Sequence, residues 1–404
     1  MRPVTAAAPR LPRFTPDELA ALDDPYPAYA RLRAAGALCR GGPAQWFVTR
    51  HAEVTALLKD PRLGIELPEA FRDISLGDGP TRSFIERVIG RRDPPGHSRI
   101  RRLMGYAFSP VHLRRLEQRV EQTVSELLGR CRELGEFDAV AELAYPLPVQ
   151  VVCDIIGLPA PHHDLIRPRA HALAGAFTGF VSESDRQAVG DAITWLRGYM
   201  HDALRDRASG LGDDLLSRMV RAASDPRDPT GYDEIVDNLI FLFFAGFETT
   251  MNLIASGCAA LSSDGAAFAA LAADRSLVPL AVEEFLRLDA PFQTTVRFTR
   301  EPLRIDGQRI SAGRVIVLML GSANYDERVF ADPGQMIITR SPNPHVSFGG
   351  GIHYCLGAML ARMEARLVFE GITRDFAGFE PAGPVIRTDH FRSYRHVPLR
   401  GRPS

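Results

Sequence analysis

A mainly α-helical protein with a small β region is the fold class this sequence predicts, arranged as a single domain with a large helical lobe and a smaller β-rich lobe. Three observations carry that reading. Helical periodicity runs almost unbroken from His97 to about residue 290, while β-prone stretches are confined to Ala44–Thr49, 294–305 and 314–319. A long segment, 232–262, is apolar on nearly all sides around Leu239–Phe247, as a helix through a protein centre must be.

Taken in order, residues 1–24 are Pro- and Ala-rich and are expected to drape over the surface as an N-terminal extension, with the folded domain spanning 25–404. Asp24-Pro25-Tyr26-Pro27 opens a short helix through Arg33, with Pro in its first turn and Gly36 as a stop. A strand over Ala44–Thr49 and a helix over His51–Lys59 follow. Residues 60–95 carry many Pro and Gly and no clean period, and are read as a long folded loop whose Phe71, Ile74, Leu76, Phe84 and Ile85 cover something. Helices are expected near 97–108, 111–134, 141–156, 162–180, 184–208, 213–223, 232–262 and 277–289. Strands then come near 294–305 and 314–319, irregular chain runs to 354, and a last helix extends from Cys355 to about Arg374.

The whole chain sets limits on function. At 404 residues it buries roughly three-quarters of its unfolded surface, enough to enclose a cofactor. A formal net charge of −1 gives no pull toward nucleic acid or an anionic membrane. The first residues lack the apolar stretch of a secretory signal, and no run approaches the roughly 20 apolar residues of a membrane span, so a cytoplasmic protein with no membrane and no nucleic-acid partner is expected. Five cysteines, Cys39, Cys131, Cys153, Cys258 and Cys355, never pair as Cys-x-x-Cys, which argues against a disulfide framework or a zinc knuckle. Four of them read as small buried hydrophobes.

Cys355 differs because of its surroundings, Phe348-Gly349-Gly350-Gly351-Ile352-His353-Tyr354-Cys355-Leu356-Gly357. Three successive glycines admit positive φ and let backbone approach a flat ligand. A sulfur at a helix start lies near free N–H groups, which favour thiolate over thiol. Thiolate is the ligand a haem iron needs if electron density is to be pushed toward O–O cleavage. A packing cysteine after a flexible loop is the plain alternative, and a ten-residue pattern makes it the weaker one.

The apolar helix is interrupted by Ala245-Gly246-Phe247-Glu248-Thr249-Thr250. Burying Glu and two Thr is costly unless they find partners. A mid-helix Thr bonds the carbonyl four residues back, here Ala245, and bends the helix. Ala245 and Thr249 share a face with Leu242 and Leu253, whereas Glu248 points about 100° away, so that one group can meet a cofactor while the other leads toward solvent. A purely structural kink and an oxygen-binding notch with a proton relay both fit these residues.

Phe348, Gly351, His353, Cys355 and Gly357 fill every defined position of Phe-x-x-Gly-x-His/Arg-x-Cys-x-Gly, and here the chain resembles the cytochrome P-450 superfamily in its soluble bacterial form. The resemblance implies that Cys355 binds the iron, Phe348 packs beside the thiolate and His353 contacts a haem propionate, with Gly349 and Gly357 among the cofactor contacts. Ala245 to Thr250 resembles the family's oxygen motif, by which Thr249 hydrogen-bonds dioxygen or its water, Glu248 helps deliver protons, and Ala245 and Gly246 form the notch. His97 and Arg101, four apart in Pro94–Arg102, match a helix that donates both groups to a propionate, and Arg297 matches a further propionate position. Glu284 and Arg287 match a buried structural brace completed by the segment before the haem loop, which Asn324–Phe330 and Asp332-Pro333 resemble. Met336 stands where an aromatic is usual.

The resemblance implies haem b (iron protoporphyrin IX) and a monooxygenase reaction, in which one atom of dioxygen enters a small lipophilic substrate by hydroxylation or epoxidation and the other leaves as water. Electrons would come from NAD(P)H through a ferredoxin reductase and a ferredoxin, since no flavin or iron–sulfur segment fits within this chain. The same oxidant ending in desaturation or oxidative coupling fits the same residues. A non-catalytic haem-binding recruitment protein is a third reading, and a peroxide-driven enzyme a fourth; the retained Glu248 and Thr249 argue against both. By family position the pocket is lined by the 60–90 loop, residues near 174–186, Leu242, Gln293–Val296 and Phe391–Ser393, with a lid over 162–208. Arg91, Arg92, Arg99, Arg101 and Arg102 are read either as a solvated face or as part of a docking patch for an acidic ferredoxin. The Arg-, Ala- and Gly-rich composition points to bacterial natural-product tailoring.

Overall fold

Alternation along two short strands builds the first part of the fold. The computed structural model describes residues 22, 24–42, 44–158, 166, 169, 172–177, 183–207, 210, 212, 214–223, 230–387 and 393–403. These fall into two compact units. The first comprises the described residues of Met1–Gly64 together with Phe292–Gln335 and His345–Ile352. Its frame is a five-stranded sheet in the order Leu38–Arg40, Gln45–Val48, Val315–Leu318, Thr295–Thr299, Leu63–Gly64. Gln45–Val48 runs parallel to Val315–Leu318, and the other neighbours are antiparallel. Val48, Ile316 and Leu318 join Val54 and Leu57 of the helix His51–Leu57 in one apolar cluster. Phe47 and Val317 point the other way, onto Tyr29 and Leu32 of the helix Tyr26–Ala35, as a period of two requires. The hairpin Leu303–Ile305/Gln308–Ile310 turns on Asp306-Gly307, both at positive φ, the geometry that matches strand twist.

The second unit takes Ile65–Pro291, Met336–Pro344 and the described residues of His353–Ser404. Its axis is the 32-residue helix Tyr232–Ser263, within one residue of expectation. Among the described residues this is the one helix long and apolar enough to cross a membrane, and 78% of its apolar window is buried within the protein. Two glycines let neighbours cross it closely. A Cβ on Gly246 would stand 2.6 Å from Val152 of the helix Pro146–Ile156, and one on Gly257 would stand 2.2 Å from Phe369 of the helix Ala358–Asp375. A sheet in the order Glu136–Asp138, Pro398–Pro403, Phe376–Pro381 and a pair Ile386–Arg387/Tyr394–His396 complete the unit.

Several expectations change. Residues 60–95 are not one long loop: they form the strand Leu63–Gly64, the helices Glu69–Leu76 and Pro80–Arg87 and a 3-10 turn Ile89–Arg91, each too short to show a period. The last helix starts at Ala358, three residues after Cys355, because Gly357 caps it. A helix at Gly265–Ala273, uniformly Ala-rich and so without an apolar stripe, was absent from the expected set. Residues 140–144 wind as a π turn ahead of Pro146. The expected extension at 1–24, apart from residues 22 and 24, lies outside the described residues, as do most of 162–180 and Phe391.

Candidate functional site

The cysteine loop is shaped by its glycines. Gly349 and Gly351 sit at φ 69° and 67°, and a Cβ on Gly351 would meet the Leu58 carbonyl oxygen at 2.6 Å. Cys355 alone of the five cysteines is exposed; the other four are buried. Burial pushes the Cys39 thiol up to about 11 and those of Cys131 and Cys153 to about 12, and raises Cys258 as well, so these four pack as inert hydrophobes. The Cys355 sulfur has open surface yet is ringed by protein. Desolvation leads and raises its pKa, against the Gly357 N–H and the charges of Arg101 and Arg362, which lower it. The loop by itself therefore does not favour thiolate, contrary to expectation; a bound metal cation would draw the proton off.

His97 and Arg101 come from the helix Gly96–Gly105 and meet the cysteine loop at its edge. The rings of His97 and His353 lie 4.4 Å apart, and an Arg101 Nη donates to the Tyr354 carbonyl at 2.8 Å. His97 is 2% exposed, and desolvation, aided by His353 and Arg101 and opposed by Asp93, lowers its pKa to about 4. His97 Nδ1 and His353 Nε2 are buried with no hydrogen-bond partner, the latter 3.6 Å from Asp93. Two unsatisfied imidazole nitrogens beside a guanidinium form a pocket that an anionic group would complete. A haem propionate is such a group. Among the described residues no group of three or more His, Cys, Asp or Glu converges that could hold a metal ion. Arg297 and Phe348 belong to the first unit. Arg297 is 4% exposed on the strand Thr295–Thr299 and donates to Thr295 Oγ1 and the Val296 carbonyl; Phe348 is half-buried with its ring 6.1 Å from His345.

Thr249 Oγ1 donates to the Ala245 carbonyl at 2.9 Å, the bond its position predicts. Phe241, Ala245 and Thr249, at i, i+4 and i+8, are half-buried where most of the helix is buried. They mark its open stripe. Leu242, expected on that stripe, is buried, because four residues advance 400° around a helix and so Phe241, not Leu242, lies nearest above Ala245. Gly246 packs against Val152, whose Cγ2 would stand 2.6 Å from a Cβ placed there. Glu248 is 2% exposed, and its Oε1 accepts from Ser393 Oγ at 2.9 Å.

Glu284 and Arg287 are fully buried and doubly hydrogen-bonded. The brace is completed by Ile337 N–H, Arg340 Nε and Asn343 Nδ2, all donating to the Glu284 carboxylate. Burial pushes the carboxyl up, but these bonds and the charges of Arg287 and Arg340 outweigh it and hold Glu284 below the ordinary range. Within the first unit, Asn324 accepts from Val346 N–H and donates to Ser347 Oγ, and Asp326 accepts from His51 N–H and Arg328. Arg340 was the missed residue. The basic cluster also resolves differently. Arg92 and Arg99 turn onto Glu234, Arg91 donates to the Phe177 carbonyl, and Arg102 is exposed.

A family-wide profile described as cytochrome P-450 matches residues 269–391. A vitamin D(3) 25-hydroxylase of Pseudonocardia autotrophica is 35% identical over 87% of this chain and 86% of its own. The cytochrome P-450 monooxygenase PikC of Streptomyces venezuelae is 34% identical over 86% and 83%. Among solved structures, CalO2 superposes with a TM-score of 0.88 at 30% identity, covering 95% of this chain and 98% of its own.

Proposed function

The chain belongs to the cytochrome P-450 family and is a monooxygenase, and from that premise we propose that it uses haem b to hydroxylate or epoxidise a lipophilic small molecule in a bacterial biosynthetic pathway. The observation that carries the cofactor reading is the pairing of one exposed cysteine with an anion-seeking His97–His353–Arg101 group on the same loop and its neighbouring helix. Relatives named as hydroxylases, one of them for 6-deoxyerythronolide B, support the substrate class.

In this reading Cys355 would ligate the haem iron, and His97, Arg101 and His353 would hold the carboxylate edge of the macrocycle, a role that the family resemblance also gives to Arg297. Phe348, Gly349 and Gly357 shape the loop that carries the ligand. The bound group supplies dioxygen activation through its thiolate-ligated iron. The protein supplies the rest. Ala245 and Thr249 leave a notch where the helix carbonyl is already engaged by the Thr249 hydroxyl, so that hydroxyl can also accept a bond from, or relay to, a small polar guest. Glu248, one residue on, is a buried carboxyl able to exchange a proton. Phe241, one turn above Ala245 on the open stripe, would help exclude water and favour an apolar substrate.

The protein would work in the cytoplasm with a ferredoxin and its NAD(P)H-dependent reductase as electron donors. The test is the carbon monoxide difference spectrum of the reduced protein. The red-shifted band of a thiolate-ligated ferrous haem is expected in wild type and absent in Cys355→Ala; haem retained with an unshifted band in wild type would refute the assignment. Turnover with dioxygen and a surrogate ferredoxin then separates hydroxylation from desaturation or coupling by product mass.

A further inference from the structure

Glu248 accepts from a hydrogen-bond chain with a fixed direction. The Tyr394 backbone N–H donates to Asn252 Oδ1 at 3.0 Å, Asn252 Nδ2 donates to Ser393 Oγ at 2.8 Å, and Ser393 Oγ donates to Glu248 Oε1 at 2.9 Å. Glu248, Asn252 and Ser393 are 2%, 3% and 1% exposed. A backbone N–H can only donate, so it sets which end of the Asn252 amide faces Tyr394 and which faces Ser393. Having accepted from Asn252, the Ser393 hydroxyl has a single proton, and it points at Glu248. Bonds lined up in this way in a dry interior polarise one another. Glu248 and Asn252 stand four apart on one helix face, whereas Thr249 is turned onto its own Ala245 carbonyl.

We propose that Ser393, oriented by Asn252, is a positioning residue for Glu248: it holds the acid in the one arrangement from which the acid passes its proton. The inference rests on the proton-relay reading of Glu248. A simple tie between the strand Tyr394–His396 and the central helix would need only the Tyr394–Asn252 bond; the Ser393–Glu248 bond adds nothing to that tie, and it fixes the acid.

The test uses haem-loaded Ser393→Ala, Ser393→Thr, Ser393→Cys and Glu248→Gln. Two readouts apply to each: the infrared carboxylate band of Glu248 in the resting ferric protein, isolated by subtracting the Glu248→Gln spectrum, and the solvent deuterium isotope effect on NADPH-driven dioxygen consumption with a surrogate plant-type ferredoxin and no added substrate. Ser393→Ala is expected to move the band and to change the isotope effect by about twofold or more, in the direction of Glu248→Gln. Ser393→Thr keeps the hydroxyl and should keep both. If Ser393→Ala does not fold, Ser393→Cys, a near-isostere with a weak donor, gives the same reading. A Glu248 band unmoved in Ser393→Ala or Ser393→Cys, while Glu248→Gln alters the isotope effect, overturns the positioning role and leaves the relay standing. An isotope effect unmoved in Glu248→Gln overturns the relay and the positioning role with it.

Discussion

Glu284 and Arg287, three residues apart on one helix, have no exposed side-chain surface and meet through two 2.8 Å hydrogen bonds. Burial of an ion pair is tolerable only when its remaining lone pairs are also satisfied, and Ile337, Arg340 and Asn343 do this for the carboxylate. Removing Arg287 strips the carboxylate of its fork-shaped partner. Arg287→Leu is expected to destabilise the fold by about 3–5 kcal/mol, read as a large drop in the urea midpoint. Arg287→Lys keeps the charge and loses the fork, so it should fall in between. A wild-type midpoint in Arg287→Leu would show the brace to be dispensable.

His97 gives the haem-free protein a defined acid sensitivity. Its folded pKa of about 4 lies below the ordinary 6.5, so between those values the unfolded chain binds the proton and the folded chain does not. Stability is therefore present above pH 6.5 and falls as pH drops toward 4, by about 3 kcal/mol for a shift of this size. Glu284 acts later in the same direction: its folded pKa is held below 4.5, so its contribution is kept above that pH and lost as pH falls through the folded value. Thermal midpoints of the haem-free protein should decline from pH 6.5 to 4, and His97→Gln should flatten that window only. Equal slopes in the two proteins would remove His97 as the cause.

Local signals carried much of this fold. The central helix, the glycine loop before Cys355 and the Thr249–Ala245 bond each depend on residues a few positions apart, and the pattern shows them. What stayed hidden depends on distant chain. Ser393 reaches Glu248 across 145 residues and Arg340 reaches Glu284 across 56, and neither residue type announces its partner. The strand Pro398–Pro403 pairs with Glu136–Asp138, far back in the sequence, and so leaves no local turn signal. The Arg91–Arg102 cluster looked like one basic face because a run of like charges does not show that Glu234 lies opposite Arg92 and Arg99.

Gly246 is a helix-crossing position, and this is separable from chemistry. Ala is better than Gly in a helix by about 1 kcal/mol, yet its Cβ would meet Val152 Cγ2 at 2.6 Å. Overpacking of this kind costs about 1–3 kcal/mol, so Gly246→Ala should lower the thermal midpoint despite its helix propensity. Val152→Ala removes the colliding methyl groups and should restore the midpoint in the double variant. If the double variant is as unstable as Gly246→Ala, the contact with Val152 is not what the glycine protects.

Electron-donor docking should depend on Arg102 and not on Arg99, although the two stand three apart in sequence. Arg99 gives hydrogen bonds to both oxygens of Glu234 and to Thr230, so its charge is largely committed within the protein, whereas Arg102 is exposed. An acidic ferredoxin senses exposed charge, and reversing such a charge changes association and its salt dependence more than it changes the chemistry that follows. Arg102→Glu is expected to raise the ferredoxin concentration for half-maximal reduction on the order of fivefold and to flatten its rise with salt. Arg99→Gln should leave that concentration unchanged and lower the thermal midpoint, since it deprives Glu234 of its bidentate partner. Stopped-flow reduction of the haem-loaded protein across a salt series measures both, and an effect of Arg99→Gln on ferredoxin dependence equal to that of Arg102→Glu would return the whole cluster to the docking surface.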